Sequence, residues 1–575
     1  MKPLPFYETG PALAELCHVI RVASGAEEAD LVLKNLRYLN VFTGELLTSD
    51  IALAGGRIAG LGRFRGKTEM DGSGMLALPG LIDAHIHLES ALLSPRELIK
   101  ALLPCGSTTL ICDPHEIANI AGTAGIDYML RETEGLPLDV RFMLPSCVPA
   151  TAFDEAGAAL DSQALAPYYT HPRVMGLGEM MNYPGVLATD RDPLEKVLAA
   201  RLKGKPVDGH APGLQGKALG AYVAAGIRSD HECAALEEAL EKLRLGQMII
   251  IREGTAAHNL QALVSLLSPP YEGRCMLCTD DKHPGDLLRL GHMDGIIRRA
   301  VSLGADPVSA VKAATINPAR HYRLEDKGAI APGYRADLIL VDDLEAFNVK
   351  KVFQNGRLVA ENGLLREPFP DGPEDQALSE KICDSFHMGP FEEASLRNTL
   401  PLPLIGMVKG QILTTNLGSA ENIQVERDIL KIASIERHKN TGHTGLGFVK
   451  GYGLRSGAVA TSVSHDSHNV VVIGANEKDM AAAVELLACM KGGIAVVENG
   501  LPLAQIPLPI AGIMSDKPLK TVDLQLQAAK KAAYSLGVHP EIDPFMTLSF
   551  MALPVIPSLR ITTRGIFDVD AQKFL

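Results

Sequence analysis

The chain has 575 residues, 46% of them hydrophobic and 21% charged, with a formal net charge of −13. That length exceeds a single core and fits about three to four compact units, while the acidic balance argues against a nucleic-acid surface. The N-terminal stretch has no signal-peptide core, no run of about 18 apolar residues occurs elsewhere, and nine scattered cysteines make no disulfide framework, so a cytoplasmic protein with no membrane or nucleic-acid partner is expected.

Residues 1–27 are expected to form an N-terminal helical segment. Residues 28–78 hold short β-rich runs broken by turn signals, "ADLVLKNLRYLNVFTGE" and "SDIALAGGRIAGLG", and suggest a small antiparallel sheet. The same texture returns in "GAIAPGYRADLILVDDLEAFNVKKVFQNGRLVAENG", so a small β domain split between 28–78 and 325–365 is expected. Between its halves, eight apolar strand-like runs alternate with helical stretches, from "ALPGLIDAHIH" to "CMLCTDDKHPG". The expected fold class is therefore α/β: a (β/α)8 TIM-type barrel over 79–324, a split β-sandwich-like domain, and an additional α/β domain over 380–575. "LLREPFPDGPEDQ" reads as the linker before that last domain, whose clearest helix lies near Glu477 to Met490.

In such a barrel the chemistry sits at the C-terminal ends of the strands. The runs end in Asp83-x-His85-x-His87, Asp113-Pro-His115-Glu116, Glu179, Asp208-x-His210, Asp230-His231-Glu232 and Asp280-Asp281. Packing alone does not explain this, because buried charges are costly unless paired or metal-bound. Alternation along a strand puts His85 and His87 on one face. With His210 and His231 as further nitrogen donors and Glu179 and Asp280 as oxygen donors, two divalent metals bridged by Glu179 are more plausible than one. The shell without thiolate suits zinc, manganese or iron(II).

Asp280 is expected to carry protons between the activated water and the leaving group. Asp281 is the alternative, and strict alternation would aim the two opposite ways. Asp83, Asp113, His115 and Glu116 are candidates either for orienting the ligands or for an additional metal or substrate site, and Asp208 and Asp230 carry the same ambiguity. Cys275 and Cys278 have C-x-x-C spacing without a second pair and read as buried strand. "SHDSHN" (464–469) and "GHTGLGFVKGYG" (442–453) read as solvated-loop or domain-interface segments, since the first has no carboxylate in view and the second lacks a P-loop ending.

These motifs, in this order, resemble the amidohydrolase superfamily over residues 30 to 365. "DAHIHLES", "DPHEIANI", "GLGEMMNYPGV", "DGHAPG", "SDHE" and "CTDDKHPGDL", with the long C-terminal domain, resemble the bacterial and archaeal adenine deaminase family over nearly the whole chain. The resemblance implies hydrolytic deamination of adenine to hypoxanthine and ammonia by metal-activated hydroxide, as in purine salvage. It also implies a binuclear iron(II) or manganese centre on His85, His87, Glu179, His210, His231 and Asp280, with Asp280, Asp281 and Glu179 as the catalytic set. Glu179 stands where many superfamily members carry a carboxylated lysine, which lowers the cyclic-amide alternative. Adenine is uncharged and requires no arginine clamp, so Lys282 and His283 are the expected basic neighbours. A homo-oligomer, with a dimer favoured, is expected. The competing readings are another amidohydrolase acting on a cyclic amide or other aminated heterocycle, and a scaffold that has lost catalysis. The complete set of six candidate ligands weighs against the scaffold.

Overall fold

Strand seven of the expected set, Met248–Arg252, is buried along its whole length, as a parallel strand covered on both faces must be. The computed structural model describes residues 6–255, 257–369, 375–408 and 413–575; of the expected linker, 370–374 lie outside the described residues. All eight apolar runs are strands: Leu81–Ile86, Ser107–Cys112, Asp139–Leu144, Val174–Met180, Val207–Gly209, Ser229–Asp230, Met248–Arg252 and Cys275–Cys278. The first five form one parallel sheet in sequence order and the last three a second. Backbone hydrogen bonds cross both seams: Arg228 N donates to Val207 O at 3.0 Å, and Asp280 N donates to His85 O at 3.0 Å. The chain is thus α/β with parallel strands and intervening helices.

One buried cluster contains Ile82, Ala84, Ile111, Met143, Ile250, Met276 and Cys278, closed by Tyr322 and Leu324. Two residues beyond Ile111, Ile250 and Cys278 come Asp113, Arg252 and Asp280, so the faces that build this apolar core turn polar at the strand ends.

The split β texture is one nine-stranded sheet. Leu76–Pro79 pairs antiparallel with Leu338–Val341, which joins the two halves immediately before strand one. The sheet is mixed rather than antiparallel throughout, because Ala29–Asn40 pairs parallel with both Gly66–Asp71 and Leu76–Pro79. The N-terminal helix runs from Phe6 to Ala23.

In the C-terminal part an eight-stranded sheet carries the helix Glu477–Cys489. Asn476 caps that helix by accepting from Asp479 N, and Met480, Ala483, Val484 and Leu487 bury the apolar stripe that its spacing creates. A three-stranded sheet, Leu559–Thr562, Gly565–Asp568 and Lys573–Phe574, follows. Among the described residues no helix is long and apolar enough to cross a membrane.

Candidate metal centre

The two histidines that end strand one bring their Nε2 atoms to 3.1 Å of each other. His87 Nδ1 lies 2.9 Å from the carbonyl oxygen of Asp113. A carbonyl can only accept, so the ring proton is on Nδ1 and the Nε2 lone pair faces inward, the arrangement a metal-binding imidazole adopts. Asp280 Oδ1 stands 3.0 Å from His87 Nε2 and 3.4 Å from His85 Nε2.

Glu179 lies between the histidine pairs and divides its oxygens between them. Oε1 is 3.2 Å from His87 Nε2 and 3.7 Å from His85 Nε2, while Oε2 is 2.6 Å from His210 Nδ1 and 3.2 Å from His231 Nε2. Ligand-capable atoms of His85, His87 and Glu179 lie within 4.8 Å of one another, as do those of Glu179, His210 and His231, and those of His85, His231 and Asp280. The six side chains proposed from sequence therefore converge. Their donor chemistry fits divalent cations, because inward lone pairs and carboxylates crowd together in a buried space where only positive charge satisfies them all. Burial works against the charged form of Glu179, yet the surrounding imidazoles, His231 foremost, outweigh it and hold the carboxyl well below its usual range.

The flanking acids separate by role. Asp113 Oδ2 accepts from Glu179 N at 3.1 Å. This approach requires Gly178, where an added Cβ would meet Asp113 Oδ2 at 1.9 Å. Asp83 accepts from His85 N at 3.2 Å and from Thr279 Oγ1 at 2.5 Å, so it ties strand one to strand eight. Asp230 accepts from Ala211 N at 2.9 Å and Glu232 N at 2.8 Å, while Asp208 takes Ser229 Oγ and the Tyr322 hydroxyl; both brace strands. His115 faces Glu179 Oε1 across 3.4 Å and packs edge-on against His87.

Two expectations need correction. Asp281 does not turn away from Asp280: ligand-capable atoms of His87, Asp280 and Asp281 lie within 4.8 Å of one another. The reason is local, since strand eight ends at Cys278 and Asp280 has φ +59, a left-handed conformation that breaks the strand alternation. The basic neighbour is Arg252, not only Lys282 and His283. Its guanidinium reaches Glu232 Oε1 at 2.5 Å, Glu232 Oε2 at 3.0 Å and Asp280 Oδ2 at 2.7 Å. Glu232 Oε1 in turn stands 3.3 Å from His231 Nε2 and 3.5 Å from His210 Nδ1.

Of the two readings of "SHDSHN", the structure bears out the domain-interface one and not the solvated loop. His465 and His468 are buried at the interface and face Glu116: His465 Nδ1 is 2.6 Å from Oε1, and His468 Nε2 contacts Oε2. The carboxylate partner missing from the local sequence comes from the first turn of the helix His115–Ala121, about 350 residues earlier. By contrast, the glycine-rich 442–453 segment forms the strand Thr444–Lys450 and a turn whose Gly451 and Gly453 N–H groups are taken by Asp428, so they are not free for a phosphate. Cys275 and Cys278 are buried and three apart on one strand, hence on opposite faces.

Residues 76–359 match the amidohydrolase family, and residues 409–573 match the adenine deaminase C-terminal domain. The chain is 46% identical over 559 residues to adenine deaminase 2 of Carboxydothermus hydrogenoformans, covering 96% of this chain and 97% of that one. It is 46% identical over 570 residues to adenine deaminase of Nitratidesulfovibrio vulgaris, covering 97% and 98%. It is 43% identical over 568 residues to adenine deaminase of Clostridium acetobutylicum, covering 97% and 99%. With 43–46% identity to these relatives over nearly its whole length, the chain belongs to the adenine deaminase family of amidohydrolases.

Proposed function

We propose that this chain hydrolyses adenine to hypoxanthine and ammonia at a site built on His85, His87, Glu179, His210, His231 and Asp280. The observation that carries the reading is the division of Glu179, one oxygen toward His85 and His87 and the other toward His210 and His231. That division suits a pair of divalent ions that His85, His87, Glu179, His210, His231 and Asp280 would hold, and the nitrogen and oxygen donors without thiolate suit manganese or iron(II), with zinc as the alternative. The seam hydrogen bonds on both sides of the parallel sheets support a closed (β/α)8 barrel over 79–324, flanked by the split β domain of 28–78 and 325–365 and the domain of 380–575.

When bound, the ions make water acidic enough to attack near neutral pH and stabilise the charge that develops at the purine ring. The chain's own groups handle protons and geometry. Water adds its oxygen to C6; of its two protons one ends on ring N1 and the other on N6, and the C6–N6 bond breaks to release NH3. Asp280 suits this transfer: Oδ2 is fixed by Arg252 at 2.7 Å while Oδ1 faces the histidine pair. Arg252 also holds Glu232, so both carboxylates keep their positions as protons move. Asp281, held by the Ser90 hydroxyl, lies on the same side. Residues 464–469 of the C-terminal part are buried over this end of the strands and restrict water to the site.

Stepwise reconstitution tests the proposal. Metal-free protein titrated with Mn²⁺ or Fe²⁺ should gain adenine-dependent ammonia release that saturates at two equivalents per chain. Full activity at one equivalent, or none at any loading, would contradict it.

A further inference from the structure

The C-terminal part supplies more than a cover. His465 and His468 lie 349 and 352 residues from Glu116 in sequence, yet each imidazole meets one oxygen of its carboxylate, His465 through Nδ1 and His468 through Nε2. All three side chains are buried. Glu116 Oε1 is also 3.5 Å from His115 Nε2, and the other ring nitrogen of His115 is 3.4 Å from Glu179 Oε1. A continuous buried file thus runs from the C-terminal part through Glu116 and His115 to the carboxylate between the two histidine pairs.

The same three groups could be read as a third metal site, and their ligand-capable atoms do lie within 4.8 Å of one another. The backbone decides otherwise. Ser464 N donates to His468 Nδ1 at 3.2 Å, so Nδ1 is an acceptor and the proton of the neutral ring sits on Nε2. The contact with Glu116 Oε2 is then N–H···O rather than a lone pair awaiting a cation.

The segment is fixed from several sides. His468 N donates to Ser464 O at 2.7 Å, Arg437 Nε donates to His468 O at 2.5 Å, and Asn469 Nδ2 donates to Glu155 O at 2.8 Å. The His465 ring stacks on Phe550 at 4.7 Å. Two donors held this firmly leave the Glu116 carboxylate little freedom.

We propose that His465 and His468 are positioning residues for the deamination: by donating Nδ1–H and Nε2–H to the two oxygens of Glu116, they fix the His115 ring beside Glu179. The inference rests on the function proposed above. It assigns the C-terminal domain a direct part in organising the active centre. The removal of such outer partners costs about 10–100-fold in activity or metal affinity in known metal sites.

The geometry makes the test atom-specific, because an Asn amide places its N–H near the imidazole Nδ1 position and a Gln amide near Nε2. His468→Ala should lower kcat about 10–100-fold, with KM for adenine within about three-fold and two metals retained. His468→Gln and His465→Asn should recover most of that loss, whereas His468→Asn and His465→Gln should not. The proposal is overturned if His468→Ala leaves kcat unchanged, if matched and mismatched amides behave alike, or if the native protein holds a third metal that these variants lose. A readout independent of turnover separates this from failure of the adenine reading. In ¹⁵N-histidine spectra of the metal-loaded protein, His465 should be protonated at Nδ1 and His468 at Nε2, and Glu116→Gln should shift both resonances. An Nδ1 proton on His468 would overturn the proposal whatever the substrate.

Discussion

Replacing Asp280 with Asn keeps the shape of the side chain and removes what its two oxygens do separately. Oδ1 stands 3.0 Å from His87 Nε2, and Oδ2 accepts from Arg252 Nη1 at 2.7 Å. An amide has a single oxygen. If that oxygen faces Arg252, an NH₂ points at the inward imidazole lone pairs; if it faces the histidines, the NH₂ opposes the guanidinium. Arg252 would still be held by Glu232, at 2.5 and 3.0 Å, so the fold should survive. The amide also cannot carry a proton at neutral pH, and general acid–base catalysis contributes about 10²–10⁴-fold. That range corresponds to about 2.7–5.4 kcal/mol of barrier, at about 1.36 kcal/mol per decade. The assay is kcat from ammonia release with metal restored in excess and bound metal counted in the same samples. A loss in this range with two metals present is expected. If Asp280→Asn turns over near the native rate while Asp281→Asn is inactive with its metals intact, the two roles are exchanged and the reasoning fails.

Other outcomes follow from the same contacts. His85→Ala or His87→Ala should reduce bound metal and activity together while circular dichroism remains native; unchanged metal content in both would refute the ligand assignment. Glu179→Gln should lower occupancy toward one metal or none by equilibrium dialysis, because an amide lacks the charge that holds two cations near one side chain; two tightly held ions would place the bridge elsewhere. Lys242 is fully buried, 2.8 Å from both Ala211 O and Glu238 Oε1 and 3.3 Å from Asp230 Oδ2. Lys242→Met should therefore cost about 3–5 kcal/mol in urea unfolding, since Asp230 is left as an unpaired buried charge beside His231. A midpoint unchanged from the native protein would contradict that pairing.

The sequence made the strand ends readable for a definite reason. Apolar runs that finish in histidine or carboxylate cannot be explained by core packing, and strand alternation by itself puts His85 and His87 on one face. Glu179 was legible because it ends such a run. Arg252 was not: in "MIIIREG" a terminal arginine looks like a strand end reaching solvent, and its partners Glu232 and Asp280 depend on which strands flank it. The orientation of Asp281 is not legible in the sequence, because alternation holds only while the backbone stays extended and Asp280 leaves that region at φ +59. His465 and His468 carried no local sign of their partner, since Glu116 reaches them only when two distant parts of the chain pack together.

Isotope tracing of the reaction tests the central claim most directly. With metal-loaded protein and adenine in H₂¹⁸O, the account predicts hypoxanthine carrying one ¹⁸O at C6 and one ammonia per adenine consumed, both abolished by chelation and restored by metal. Hypoxanthine without the label, a ring-opened product, or no turnover with two metals bound would contradict it.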